Sequence, residues 1–132
     1  MITHELNTIM VLIHPPLAIA GHLLIIIFTL SQFLHKSKKK KLSELNGTFA
    51  WIFTFIGLIS GMIWAQLAWN NFWSWDPKEI MTLALFSIYS INLLFYFENK
   101  NKISKILSVV STGLVIVTIM VSFITTGLHS FI

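Results

Sequence analysis

Few residues in this chain could carry chemistry. It has no cysteine, so it can form no disulfide or thiolate nucleophile, and any thiol chemistry belongs to a partner. What remains are five histidines and one crowded segment, Trp64 to Glu79, reading WAQLAWNNFWSWDPKE. That segment places four of the five tryptophans, a phenylalanine and three charged residues between two strongly apolar runs. Aromatic rings bury much area with few rotatable bonds, so such a cluster at one surface suits a platform for a large planar apolar ligand. His14 and His129 add an imidazole near each end of the chain. Neutral imidazoles ligate haem iron, and two on opposite faces of the ring give six-coordinate, low-spin iron. The ligand this set fits best is haem b, held by His14 and His129 and walled by Trp64, Trp69, Trp73 and Trp75.

The elements that must position these groups follow from composition. Of 132 residues, 55% are hydrophobic and 11% charged, with a mean hydropathy of +0.79, which is too apolar for an ordinary soluble domain. About 20 apolar helical residues cross the hydrocarbon of a bilayer. The chain offers four such runs, near 15–35, 48–69, 80–97 and 106–128. Backbone amides in lipid must be satisfied within the segment, and no sustained period-two alternation supports a barrel. The expectation is an all-α integral membrane protein, one unit over residues 1–132: a four-helix transmembrane bundle with the tryptophan-rich segment 64–79 as an external loop. Pro15 and Pro16 suit the first turn of the first helix. Asp76 is placed to cap the third helix, with Pro77 at its first position.

Lysine placement sets the orientation. Eight of the nine lysines lie in the first and last connections, at positions 36, 38 to 41, 100, 102 and 105. By the positive-inside rule that side is cytoplasmic. Both termini, the tryptophan-rich loop, His14 and His129 then share the outer face of a cytoplasmic-type inner membrane. No positive region precedes the first apolar run, so that run is expected to stay as a helix. The basic charge is a topology signal for the lipid bilayer, with no nucleic-acid role.

Each candidate has a plainer reading. Scattered interfacial tryptophans are belt anchors, but anchors need no Trp-Ser-Trp-Asp-Pro-Lys-Glu order. His22 stands eight residues after His14, about 12 Å deeper and rotated by roughly 80° on a helix, so it cannot serve the same iron. It either hydrogen-bonds a neighbouring helix or ligates a second, deeper haem. Asp76 is a helix cap, a brace for the loop, or both. Lys78 is a snorkelling cation or a partner for a haem propionate, and Glu79 acts through the helix dipole.

The segment WAQLAWNNFWSWDPKE resembles the tryptophan-rich signature of the haem-handling proteins of cytochrome c assembly, the WWD-domain family, whose usual form is W-A-x-x-A-W-G-x-Y-W-S-W-D-P-K-E. Trp64, Ala65, Ala68, Trp69, Trp73, Ser74, Trp75, Asp76, Pro77, Lys78 and Glu79 match, whereas Asn70 stands for the usual glycine and Phe72 for the usual tyrosine. His129 in GLHS is similar to the family's second external haem histidine, and His14 in HPPLAIAGH to the first. The resemblance implies haem held at the outer face and presented to apocytochrome c or a haem chaperone, as part of a haem-attachment system. Family members generally have six or more spans, so the chain reads as a minimal or split module working with other membrane proteins. Two other functions use the same residues: a haem b-bearing electron-transfer subunit of a larger respiratory complex, and a structural subunit that has lost haem.

Overall fold

The computed structural model describes residues 10–34 and 40–124. They form four helices, α1 (Met10–Leu34), α2 (Lys40–Trp69), α3 (Pro77–Phe97) and α4 (Asn101–Ile124), with no strand among the described residues. All four are long and apolar enough to cross a membrane, and the chain is a multi-pass membrane protein. The most extensive contacts are α1 with α2 and α3 with α4, while α1 with α4 and α2 with α3 close the ring. The start of α1, the end of α2 and the start of α3 share one end of the bundle, the loop end. Lys100, Lys102 and Lys105 stand at the other, the lysine end, and are exposed there.

Three helices begin well before the apolar runs do. The first starts at Met10, so Pro15 and Pro16 lie inside it and not in its opening turn. Without amide protons they cannot close bonds to the carbonyls four residues earlier. The second starts at Lys40, ahead of the expected 48, and one side of its first turns faces protein. Ser43 is buried and donates to Ser31 Oγ at 3.0 Å. Likewise α4 starts at Asn101, ahead of the expected 106, and buries Ser104. A hydropathy profile averages over every face of a helix, and here the polar residues Ser43 and Ser104 are the buried ones.

The core sits between the helices in the half nearer the lysine end. Phe28 is fully buried and meets Tyr89 and Tyr96 edge-on, at ring separations of 5.8 and 5.0 Å. Gly47 makes this possible, since a Cβ there would stand 2.7 Å from Phe28 Cε1. The Tyr89 hydroxyl, inside the same core, donates to the Gly47 carbonyl at 2.9 Å. On α4, Ser104, Ser108, Ser111, Val115 and Thr118 recur at alternating steps of four and three and all are buried. Small residues let helices approach closely in lipid, where packing rather than the hydrophobic effect drives association. Phe49 and Phe55 are exposed outward, as expected of lipid-facing residues, whereas Ile25 and Phe28 belong to the core.

A left-handed residue ends α3. Asn99 has φ 62, and the next amide, of Lys100, donates to the Phe95 carbonyl at 3.0 Å. Asparagine tolerates this region better than other non-glycine residues, and the turn satisfies carbonyls that the helix leaves open.

Candidate functional site at the loop end

The tryptophan-rich loop is built from local bonds. Asn70 closes α2 with φ 56, its amide donating to the Gln66 carbonyl at 3.0 Å. Asparagine thus takes the left-handed conformation that a glycine at this position would take without strain. Asn71 Oδ1 accepts from the Trp73 amide at 3.2 Å. Asp76 is the N-cap of α3, its Oδ1 accepting from the Glu79 amide at 2.8 Å, with Pro77 next in line.

Glu79 does more than face the helix dipole. Its carboxylate accepts from the amides of Ser74 and Trp75, both at 2.8 Å, and from the Ser74 hydroxyl at 3.2 Å. Together Asp76 and Glu79 form a reciprocal capping arrangement extended backwards into the loop. The acidic pair three residues apart was its signal in the sequence. Held this way, Trp75 adopts φ 59, a region that costs a bulky L residue roughly 1–2 kcal/mol. It projects outward, 65% exposed, and packs edge-on to Trp73 at 5.5 Å. Phe72 beside it is also exposed. The Trp73 indole nitrogen is buried without a hydrogen-bond partner. A buried N–H left open in this way costs about 1–3 kcal/mol and calls for an acceptor to explain it.

The loop expected over 64–79 is shorter, since Trp64 and Trp69 belong to α2 and Pro77, Lys78 and Glu79 to α3, and the four tryptophans occupy different settings. Trp75 is exposed, Trp69 and Trp73 are half-buried, and Trp64 is buried on the last turns of α2. Trp64 meets the His14 ring edge-on, at 5.5 Å and 63°. His14 is half-buried, and its Nδ1 lies 2.9 Å from the Gly57 carbonyl and 3.1 Å from Ser60 Oγ, both on α2. The structure thus brings His14 and the first tryptophan of the segment together. Gly57, Ser60 and Gly61 were not anticipated as its neighbours; their signal was a run of small residues on one helix face below Trp64.

His22 lies deeper, 92% buried, with Nδ1 unbonded. Lys78 is likewise buried, close enough for its ammonium to act on both the His22 ring and Asp76. A snorkelling cation would instead be solvent-facing. His129, the second expected ligand, lies outside the described residues, as do His4 and His35. Topology takes α4 toward the loop end, and its last described residue is Ile124. Among the described residues no three His, Cys, Asp or Glu side chains cluster to hold a bare metal ion.

Comparison with known proteins gives one consistent result. The family model described as Cytochrome C assembly protein matches residues 1–129. Among curated proteins, the cytochrome c biogenesis protein CcsA of Prochlorococcus marinus strain MIT 9301 is 32% identical over 103 residues, covering 76% of this chain and 33% of that protein. CcsA of Acorus calamus var. americanus is 34% identical over 87 residues, covering 64% of this chain and 27% of that protein. The chain thus spans about a third of the length of the curated relatives it matches. No solved structure matches it.

Proposed function

This chain belongs to the cytochrome c assembly protein family, and on that premise we propose that it binds haem b at the loop end of the bundle and presents it during cytochrome c maturation. The observation that carries the reading is the meeting of His14 with Trp64, an imidazole anchored on α2 beside the first indole of the tryptophan-rich segment. The residues fit such a cargo. His14 and His129 would hold the iron, each through an imidazole nitrogen. Trp75 and Phe72 offer exposed aromatic surface, and the Trp73 indole N–H suits an oxygen acceptor such as a propionate. Asp76 and Glu79 hold the loop backbone in place, and Lys78 contributes the positive charge near it.

Haem brings iron redox chemistry and vinyl groups able to form thioethers with an apocytochrome. The chain's part is ligation, orientation and partial exclusion of water, and with no cysteine the thiols come from the partner. In this reading it works beside other membrane proteins, as a minimal or split module, with apocytochrome c or a haem chaperone as receiver. The loop end faces outward from a cytoplasmic-type inner membrane. Lys100, Lys102 and Lys105 at the opposite end support that orientation.

The test is an absorption difference spectrum of the purified protein beside His14→Ala and His129→Ala. A six-coordinate low-spin spectrum, lost or converted to five-coordinate in either variant, is the expected result. The same spectrum in both variants would remove both ligands from the reading. Haem that passes to an apocytochrome marks the presenting role, whereas haem that stays and cycles with a quinol marks an electron-transfer subunit. A reporter fused after Ile132 should be exported.

A further inference from the structure

We propose that Gly57, Ser60 and Gly61 form a cradle that fixes the His14 ring in a single tautomer, proton on Nδ1 and lone pair on Nε2, making Ser60 and Gly61 positioning residues for the axial ligand. The proposal deepens the haem reading and rests on it only for its purpose; the tautomer itself follows from the contacts. A carbonyl oxygen can only accept. With the Gly57 carbonyl 2.9 Å from Nδ1, that nitrogen must carry the proton. Ser60 reinforces this assignment: its hydroxyl donates to the same carbonyl at 2.9 Å, so the Oγ lone pair faces Nδ1 at 3.1 Å. The N–H is shared between two acceptors, and in the neutral ring the lone pair is therefore on Nε2.

Gly61 makes the fit possible. A Cβ on it would stand 2.8 Å from His14 Cε1, 3.2 Å from Nδ1 and 3.3 Å from Nε2. The ring lies directly against the α2 backbone, and a methyl group there would push it off its acceptors. Trp64 closes the next turn, edge-on to the imidazole. Positions 57, 60, 61 and 64 recur at helical spacing on one face, so one stripe of α2 supplies acceptor, reinforcement, clearance and aromatic wall. A ring N–H bonded to a carbonyl fixes the orientation of a ligating histidine and raises the basicity of its other nitrogen. Ser60 and Gly61 would not touch iron and would act entirely through His14.

The tautomer can be read without haem. In the full chain, labelled with 15N at histidine and held in lipid nanodiscs, the His14 resonances are assigned by their absence in His14→Ala. They should show a pyrrole-type Nδ1 and a pyridine-type Nε2. Gly61→Ala should mix or invert that pattern and weaken haem binding by about tenfold to a hundredfold, with helical circular dichroism unchanged. Ser60→Ala should shift the Nδ1 resonance and the haem reduction potential, and Ser60→Thr, which keeps the hydroxyl, should restore both. If Gly61→Ala loses its helicity, the wild-type tautomer and the Ser60 pair decide. A wild-type His14 with its proton on Nε2 overturns the cradle, as does a resonance and potential unmoved in Ser60→Ala. Should the tautomer stand while the wild-type protein binds no haem, the haem reading fails and the cradle remains.

Discussion

In the half of the bundle nearer the lysine end, polar side chains bond to one another across helices. Gln32 donates to Ser104 at 2.8 Å, Ser104 to Asn92 at 2.7 Å and Asn92 to Ser108 at 2.8 Å, while Thr112 donates to Thr29 and Thr29 to the Ser108 carbonyl. At the loop end the polar side chains bond chiefly to backbone. Glu79 gathers loop amides, Asp76 caps α3, and the bond from His14 runs to a carbonyl of α2. The first pattern ties helices together in an apolar medium, where hydroxyl and amide pairs stand in for water. The second holds particular groups in place, among them a left-handed Trp75, and leaves the Trp73 indole N–H unbonded. Cross-helix bonds are concentrated in the one region and backbone-fixing bonds in the other, and conformational cost is tolerated where it positions a side chain.

Three substitutions can break or sharpen that contrast. Asn92→Leu removes the central member of the cross-helix network and should lower the unfolding free energy by about 1 kcal/mol, the scale of interhelical hydrogen bonds in membranes. Denaturant titration in mixed micelles measures this, and the haem spectrum of the folded fraction should not change. A spectral change would mean that the two regions are coupled. Glu79→Ala should have the opposite profile. Hydrogen exchange at the Ser74 and Trp75 amides should quicken by about tenfold, the equivalent of one net hydrogen bond, while global stability moves by less than about 0.5 kcal/mol. Protection that persists at those amides would show that the loop is held by something other than this carboxylate. Asn70→Gly should change least, within about 0.5 kcal/mol in either direction, because both residues adopt the left-handed region. A larger loss on thermal unfolding would assign the Asn70 side chain a role beyond its backbone conformation.

Legibility in the sequence differed from residue to residue. Asp76-Pro77 read as a cap and first position, and that is what the structure contains, because a cap is decided by neighbours three residues apart. The Glu79 bonds to Ser74 and Trp75 were within reach of the same reasoning, since capping boxes announce themselves by spacing. Helix starts at Met10, Lys40 and Asn101 were not legible from hydropathy. The first turns of α2 and α4 bury Ser43 and Ser104 against protein, and a polar residue facing another helix looks like a polar residue in a loop. Pro15 and Pro16 lie inside α1 for a related reason: their preference for a first turn is local, while the contacts of α1 with α2 carry the helix past them.

Hydropathy, charge and short-range spacing by themselves determined that this protein crosses a membrane as four helices, and that Asp76 caps the third with Pro77 after it. All of these depend on a residue and its near neighbours, or on sums over a run. The setting of His14 required the fold. Its acceptor at Gly57 is 43 residues away, and the ring contact of Phe28 with Tyr89 runs from α1 to α3. Such pairings depend on the register and rotation of one helix against another, which arise from side chains interlocking along their whole length.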